Sequence, residues 1–331
     1  MLNKDLHLNP KIFAEDVEKK ATRDGFGTGL VKLGDEDKNV VVLTADLSES
    51  TRADAFEKKF PERFFECGVA EQNMAAVAAG LGVSGKTAFI SSYATFSPGK
   101  NWETIRTTIV YNNANVKIAG HHAGIMTGPD GATHQATEDI AITRAWPNIQ
   151  VLVPCDSIEA EKATIASGKI YGPVYLRYTR DKTPILTTAD TPFALGNAQV
   201  FWTNDDPVVT IFGTGYMVYY CLLAAKKLEE EGIQIVVVNV PSVKPLDEQL
   251  LSKLARQTQA FVTVEDHQVM GGLGGAIAEW SAKNHPLPIE FIGLQNTFAE
   301  SGKPAEILAK YNMDDKAIIH AVKKVIERKN S

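Results

Sequence analysis

Residues 66–83 read ECGVAEQNMAAVAAGLGV, and the placement of one acid in them sets the problem. Residues 74–83 are small and apolar, with the make-up of a buried helix, and Glu71 stands at the start of that run. A carboxylate taken out of water is costly unless it is neutralised, paired or hydrogen-bonded. The segment alone leaves two readings open. Either Glu71 lies in the exposed first turn of a helix, where the macrodipole favours acids, or it is buried and something holds it there.

On both sides of this segment, apolar runs of strand length alternate with helical stretches, the pattern of βα units stacked around parallel sheets. The expected strands are VVVLT (40–44), TAFIS (87–91), VKIAG (116–120), IQVLV (149–153) and VYLRY (174–178). DSIEAEKATIAS (156–167) reads as a helix capped by Asp156 or Ser157. A second series, PVVTIF (207–212), IQIVVVNV (233–240), AFVTVED (260–266) and IEFIG (289–293), reads as a separate sheet. The linker TPILTTADTPFALGN (183–197), rich in Pro, Thr and Gly, joins the two series. The expected class is α/β with two domains, 21–190 and 191–331, after an N-terminal extension of residues 1–20.

With 331 residues, 44% hydrophobic and 22% charged, the chain has material for two cores. Its formal net charge of −6 argues against nucleic acid or an anionic membrane as partner, since either needs a basic face. The start, MLNKDLHLNPKIFAEDVEKK, lacks the apolar stretch of a signal peptide, and no run of about 18 apolar residues follows, so a cytoplasmic location is expected. Cys67, Cys155 and Cys221 are too few and scattered for a disulfide framework or zinc site, and their apolar surroundings suggest buried thiols.

Open parallel sheets bind ligands at the carboxyl ends of their strands. The polar residues of this chain gather there, in ADLSES (45–50), SSYATFSPG (91–99), HHAGIMTGPDGATHQ (121–135) and RYTRD (177–181). They point to one site on the first domain. GTG (213–215) and GGLGG (271–275) are the glycines of tight strand-to-helix turns and form no phosphate fingerprint. His121, His122, Asp130 and His134 share one loop, but their spacing suits a metal poorly. Presentation of His and Asp to a polyhydroxylated or phosphorylated substrate fits better.

In order and spacing, ATRDGFGTGL, ADLSEST, GVAEQNM, DGATHQATEDIA and RYTR resemble the C-terminal half of transketolase, its pyrimidine-binding domain followed by its C-terminal domain. The resemblance covers nearly the whole chain. It implies a thiamine diphosphate enzyme that moves a two-carbon ketol unit from a ketose phosphate to an aldose phosphate, as in the pentose phosphate pathway. It also implies that Glu71 hydrogen-bonds the aminopyrimidine ring of the cofactor, which would explain a buried acid: a carboxyl shielded from water can share a proton with a ring nitrogen it touches. Tyr93 and Phe96 match the aromatic pair that packs on this ring, and Asp46 matches a residue lining the cofactor pocket.

The same resemblance aligns Arg23, Ser50, His122 and Arg180 with the group that holds the sugar phosphate, where guanidinium forks and a hydroxyl suit phosphate oxygens. Asp130 and His134 match residues that contact sugar hydroxyls, and His122 and His134 join Glu71 as candidate catalytic groups. RYTR offers both Arg177 and Arg180; Arg180 stands where the family's arginine stands. The family's His-Asp-Ser-Ile reads HAGI (122–125) here and its Glu-Asp-Gly-Pro reads PDGA (129–132), which leaves the sugar preference open.

The Gly-Asp-Gly segment through which thiamine diphosphate enzymes bind Mg²⁺ (or Ca²⁺) is not found, and residues 1–20 are too short for the domain that carries it. The expected partner is therefore an N-terminal transketolase subunit that carries the metal, in a heterotetramer, with no metal on this chain. Two alternatives are weighed against this. The beta chain of a 2-oxo-acid dehydrogenase would act on a ketoacid with a lipoyl partner and has no need of DGATHQ or the arginine–serine set. A non-catalytic paralogue would not be expected to keep Glu71 together with Arg23, His122, Asp130, His134 and Arg180.

Overall fold

The first four residues of VVVLT are apolar because both faces of its strand are covered, and Thr44 ends it as a buried polar residue. Val40 and Val42 belong to a cluster with Phe26, Leu30, Leu33 and Ala160, whereas Val41 and Leu43 belong to another with Met74, Ala75 and Ala78. The structure, a computed structural model, describes residues 1–330. Val40–Thr44 lies in a sheet whose order runs Ser242–Lys244, Gln150–Leu152, Val174–Arg177, Val116–His121, Thr87–Tyr93, Val40–Thr44, Phe64–Glu66. All neighbours are parallel except Ser242–Lys244, which runs antiparallel to Gln150–Leu152. Helices Thr22–Glu36 and Ser157–Gly168 cover one face and Glu71–Val83 the other.

The glycines of ATRDGFGTGL serve a close approach between helices. A Cβ on Gly25 would lie 1.9 Å from the Ser157 carbonyl oxygen, and one on Gly29 would lie 2.8 Å from Thr164 Cβ. The Thr22–Glu36 helix is thereby seated against Ser157–Gly168, which holds the turn carrying Arg23. Of the two cap candidates, Asp156 is the cap: its Oδ1 accepts from the Ile158 and Glu159 N–H groups, and its Oδ2 accepts from Leu186 and Thr187 in the linker.

Two expectations need correction. The Glu71–Val83 helix is buried on one face only, through Met74, Ala75, Ala78 and Gly82, while Val77 and Val83 are 42% and 59% exposed. Cys67 is partly exposed, unlike Cys155 and Cys221. The N-terminal extension, residues 1–20, packs on the rest of the chain: Asn3 N–H donates to the Phe201 carbonyl, Ile12 is fully buried, and Lys19–Lys20 pairs with Thr183–Pro184.

The second sheet has the order Ile289–Leu294, Phe261–Gln268, Val209–Gly213, Ile235–Asn239, Gln199–Trp202, antiparallel only at Gln199–Trp202. It is not independent of the first, because Ser242–Lys244 crosses to the first sheet and one apolar cluster runs from Val41 and Ile90 through Trp146 to Phe212, Val238 and Leu254. The carboxyl ends of its strands, where a ligand would bind, are packed against the first domain. Asn239 Nδ2 donates to Glu159 Oε1 at 2.7 Å, Gly215 N–H to the Val153 carbonyl, and Ile125 N–H to Asp266 Oδ1 at 3.0 Å. The GGLGG helix start is also occupied, since Leu273 and Gly274 N–H donate to the buried Glu265 carboxylate at 2.7 and 2.8 Å.

Lys117 gives the fold a pH dependence. It is fully buried and donates to Asn115 Oδ1 and the Ile170 and Gly172 carbonyls at 2.8, 2.8 and 2.6 Å, and burial brings its pKa down to about 7. Between about pH 7 and 10 the unfolded chain therefore holds more protons at this residue than the folded one, so its contribution to stability rises with pH. From pH 7 to 9.5, urea unfolding should show the wild type gaining about 1 to 3 kcal/mol over Lys117→Met. A constant difference would mean that Lys117 stays charged in the fold.

Candidate active site

The carboxyl edge of the first sheet gathers the polar loops. Tyr93 ends its strand opposite His121, so His122 emerges beside it, and Arg180 follows Val174–Arg177 on the next strand. His122 adopts φ 51°, a left-handed turn that takes the chain away from the sheet. Glu71 begins the helix that follows the short strand Phe64–Glu66.

Two groups of contacts build the site. In the first, the Glu71 side chain is 3% exposed and its Oε2 accepts from Lys100 Nζ at 2.8 Å. The Glu71 carbonyl accepts from Asn101 Nδ2 at 3.0 Å. Burial, not the exposed first turn, is thus the outcome for this acid. In the second group, the Tyr93 and Phe96 rings stack at 5.8 Å with an interplanar angle of 23°. His134 stands edge-on to Phe96 at 5.6 Å, and the His122 ring centroid lies 3.9 Å from that of Tyr93. The turn Thr95–Lys100 links the groups, because it carries both Phe96 and Lys100.

His122 is the electrostatic centre of the cluster. Its Nε2 lies 2.9 Å from Arg23 Nη1, which also donates to the Ser50 carbonyl at 2.7 Å. Burial pushes the imidazole pKa down to about 3, and Arg23, Arg180, His134 and Arg52 add to the effect. The ring is therefore neutral near pH 7. A guanidinium only donates, so Nε2 accepts and the proton sits on Nδ1, which is buried and without a partner among the described residues. Arg180 Nη1 donates to the Thr127 carbonyl at 2.9 Å and lies 3.9 Å from Asp130 Oδ1.

Arg23, Tyr93, Phe96, His122, Asp130, His134 and Arg180 are thus brought together. Ser50 joins them through its carbonyl, not the hydroxyl expected. Asp46 is exposed and has φ 60°; its N–H donates to Glu66 Oε1 at 2.8 Å, and no contact ties it to the cluster. Arg177 lies elsewhere: it is 4% exposed, pairs with Asp139 at 2.8 Å, and donates to the Ala136 and Asp266 carbonyls. His121 packs between Phe26 and Tyr178, at 4.7 and 5.0 Å. Lys100 and Asn101 are additions that only the fold reveals, since nothing local in SPGKNW (97–102) points to a carboxylate distant in sequence.

A stacked, half-buried aromatic pair near a buried carboxylate suits an aminopyrimidine ring, and the orphaned Ser92 Oγ, Thr95 Oγ1 and Asn101 Oδ1 add unpaired polar atoms nearby. Among the described residues no group of three or more His, Cys, Asp or Glu could hold a metal ion. The residues present fit the ring end of thiamine diphosphate. A groove of about 930 Å³ beside Phe291, Tyr311 and His320 is lined by none of the site residues.

Known proteins resemble the chain over nearly its whole length. The model of the transketolase pyrimidine binding domain matches residues 18–185, and that of the transketolase C-terminal domain matches residues 198–318. A Methanocaldococcus jannaschii protein described as a transketolase C-terminal section is 43% identical over 302 residues, 90% of this chain and 94% of that one. One of the subunits of the apulose-4-phosphate transketolase of Phocaeicola vulgatus is 35% identical over 90% of this chain and 95% of its own length. A solved split-gene transketolase, an inactive beta4 tetramer, superposes with a TM-score of 0.86 at 42% identity over 94% of this chain and all (100%) of that one. The chain spans about half (50%) the length of human transketolase, to which it is 34% identical.

Proposed function

This chain belongs to the transketolase family, and on that premise we propose that it is the C-terminal subunit of a split, thiamine diphosphate-dependent transketolase. A separate N-terminal subunit would supply the diphosphate site and its Mg²⁺ or Ca²⁺, in a heterotetramer. The assembled enzyme would transfer a two-carbon ketol unit from a ketose phosphate to an aldose phosphate. The observation that carries this reading is the cationic cluster of Arg23, Arg180 and neutral His122 beside the stacked Tyr93 and Phe96. Two guanidiniums match the double charge of a phosphate dianion, whereas the single charge of a ketoacid carboxylate is met by one. The relatives point the same way, one belonging to an apulose-4-phosphate transketolase of more than one subunit and another to a split-gene transketolase. Phe65, Val69, Val77 and Val83, exposed around the start and outer face of the Glu71 helix, offer an apolar surface for another subunit.

Tyr93 and Phe96 would pack on the pyrimidine ring, and Glu71 would hold or share a proton at a ring nitrogen. Thiamine diphosphate, when bound, supplies the electron sink for the carbanion left by carbon–carbon cleavage. The partnerless Nδ1–H of His122 would donate to a substrate oxygen, Asp130 and His134 would contact hydroxyls, and Arg23 and Arg180 would bind the phosphate. Asp46, at the adjoining strand end, is proposed to line the cofactor pocket only in the assembly. The domain division near residue 190 is kept as part of this proposal.

The test is substrate discrimination. A charge-assisted hydrogen bond contributes roughly 1.5–3 kcal/mol, so Arg180→Ala should lower kcat/KM for a ketose phosphate by about 10- to 100-fold. Hydroxypyruvate, a donor without phosphate, should be little affected. If the ratio of the two kcat/KM values is unchanged in both Arg180→Ala and Arg23→Ala, the phosphate site lies elsewhere and the ketoacid alternative returns.

A further inference from the structure

Glu71 is held at two points that differ in kind. Its backbone carbonyl is fixed by Asn101, which is 1% exposed and also donates to Ser97 Oγ at 3.2 Å. Its carboxyl is paired with Lys100, whose side chain is 48% exposed and hangs on a long flexible stem. The first contact is buried; in the second only the ammonium reaches solvent, so it can leave once another donor takes its place at the carboxyl. Both come from neighbouring residues at the end of the turn that carries Phe96, so the aromatic platform, the acid and the ammonium are mechanically joined.

A buried carboxylate needs a counter-charge or a hydrogen bond. Lys100 meets that need at Oε2, the kind of contact that a ring nitrogen would make if Glu71 acts on the cofactor as proposed above. Two donors then contend for one carboxyl. We propose that Lys100 is a positioning residue that competes with the aminopyrimidine ring for Glu71, keeping the acid oriented and charge-balanced until the ring displaces it. This rests on the functional reading above and adds a step to cofactor loading: the Lys100 ammonium must swing out for Glu71 to engage the ring. Asn101 keeps the start of the helix in place during that exchange.

The experiment is calorimetric titration of thiamine diphosphate, at fixed Mg²⁺, into the complex of this chain with its diphosphate-binding partner. Lys100→Met keeps the stem and removes the charge at a half-exposed position, so the fold should be retained. Removing a competing, partly screened ion pair should tighten thiamine diphosphate binding by about 3- to 10-fold. Lys100→Arg, which restores the competing cation, should return affinity to within about twofold of wild type. The apparent KM for the cofactor should fall in Lys100→Met while kcat at saturation stays within about twofold. A merely structural lysine would give weaker binding or none of these changes. Binding in Lys100→Met that is unchanged or weaker, or binding in Lys100→Arg as tight as in Lys100→Met, overturns the competition. Failure of the wild-type complex to bind thiamine diphosphate overturns the functional reading itself, and this inference with it.

Discussion

Glu71→Gln should lower the turnover of the assembled enzyme by about 10² to 10⁴, the range for loss of a general acid or base. The substitution preserves size and part of the hydrogen bonding but cannot hold or return a proton. Its structural cost should be small for a reason visible in the geometry. Glu71 is 3% exposed, but its partner Lys100 is 48% exposed, so removing the negative charge frees an ammonium that reaches water. The Asn101 contact goes to the Glu71 backbone carbonyl and survives the change. The measurement is kcat at saturating thiamine diphosphate, with thermal melting to verify the fold. Near-normal kcat would reduce Glu71 to a paired structural acid.

The second large effect concerns assembly. The isolated chain should bind thiamine diphosphate weakly and show no ketol transfer, and adding the N-terminal subunit should restore both. The reason is that Tyr93, Phe96 and Glu71 would provide for the ring alone under the proposed function, while no cation-binding cluster of His, Cys, Asp and Glu lies among the described residues. A diphosphate carries its charge into the site and needs a divalent cation to balance it. Activity and cofactor titrations on the separate chain and on the reconstituted complex decide the point. Full activity of this polypeptide as a homo-oligomer would refute the division of labour between two subunits.

Much of the first sheet was legible because its strands are covered on both faces. Consecutive positions Val40 to Leu43 of VVVLT must then be apolar, and such a run is readable without knowledge of its neighbours. The Asp156 cap was readable for a related reason, since a side-chain acceptor and its N–H donors lie within three residues of each other. Tyr93 ends a strand and Phe96 lies three residues on in the turn that follows, and their rings stack.

Contacts between distant segments were not legible. RYTR offers two arginines, of which the resemblance favours Arg180; only the fold shows Arg177 locked to Asp139 and the Asp266 carbonyl while Arg180 faces Thr127 and Asp130. Ser50 looked like a hydroxyl ligand, but the fold turns its carbonyl to Arg23. Residues 1–20 have no strong periodicity of their own, and they become ordered by pairing with Phe201 and Thr183–Pro184, segments far along the chain.

By itself the sequence determined that Glu71 stands at the start of an apolar helical run, that polar loops collect at the carboxyl ends of one parallel sheet, and which residue types those loops carry. Local spacing and two-sided burial act over a few residues, so a linear chain records them. The tertiary structure alone decided that Glu71 is buried and paired with Lys100, that His122 is neutral against Arg23, and that the second sheet's crevice is filled by the first domain. Each of these depends on charge and desolvation set by groups far apart in sequence, and such distances exist only once the chain has folded.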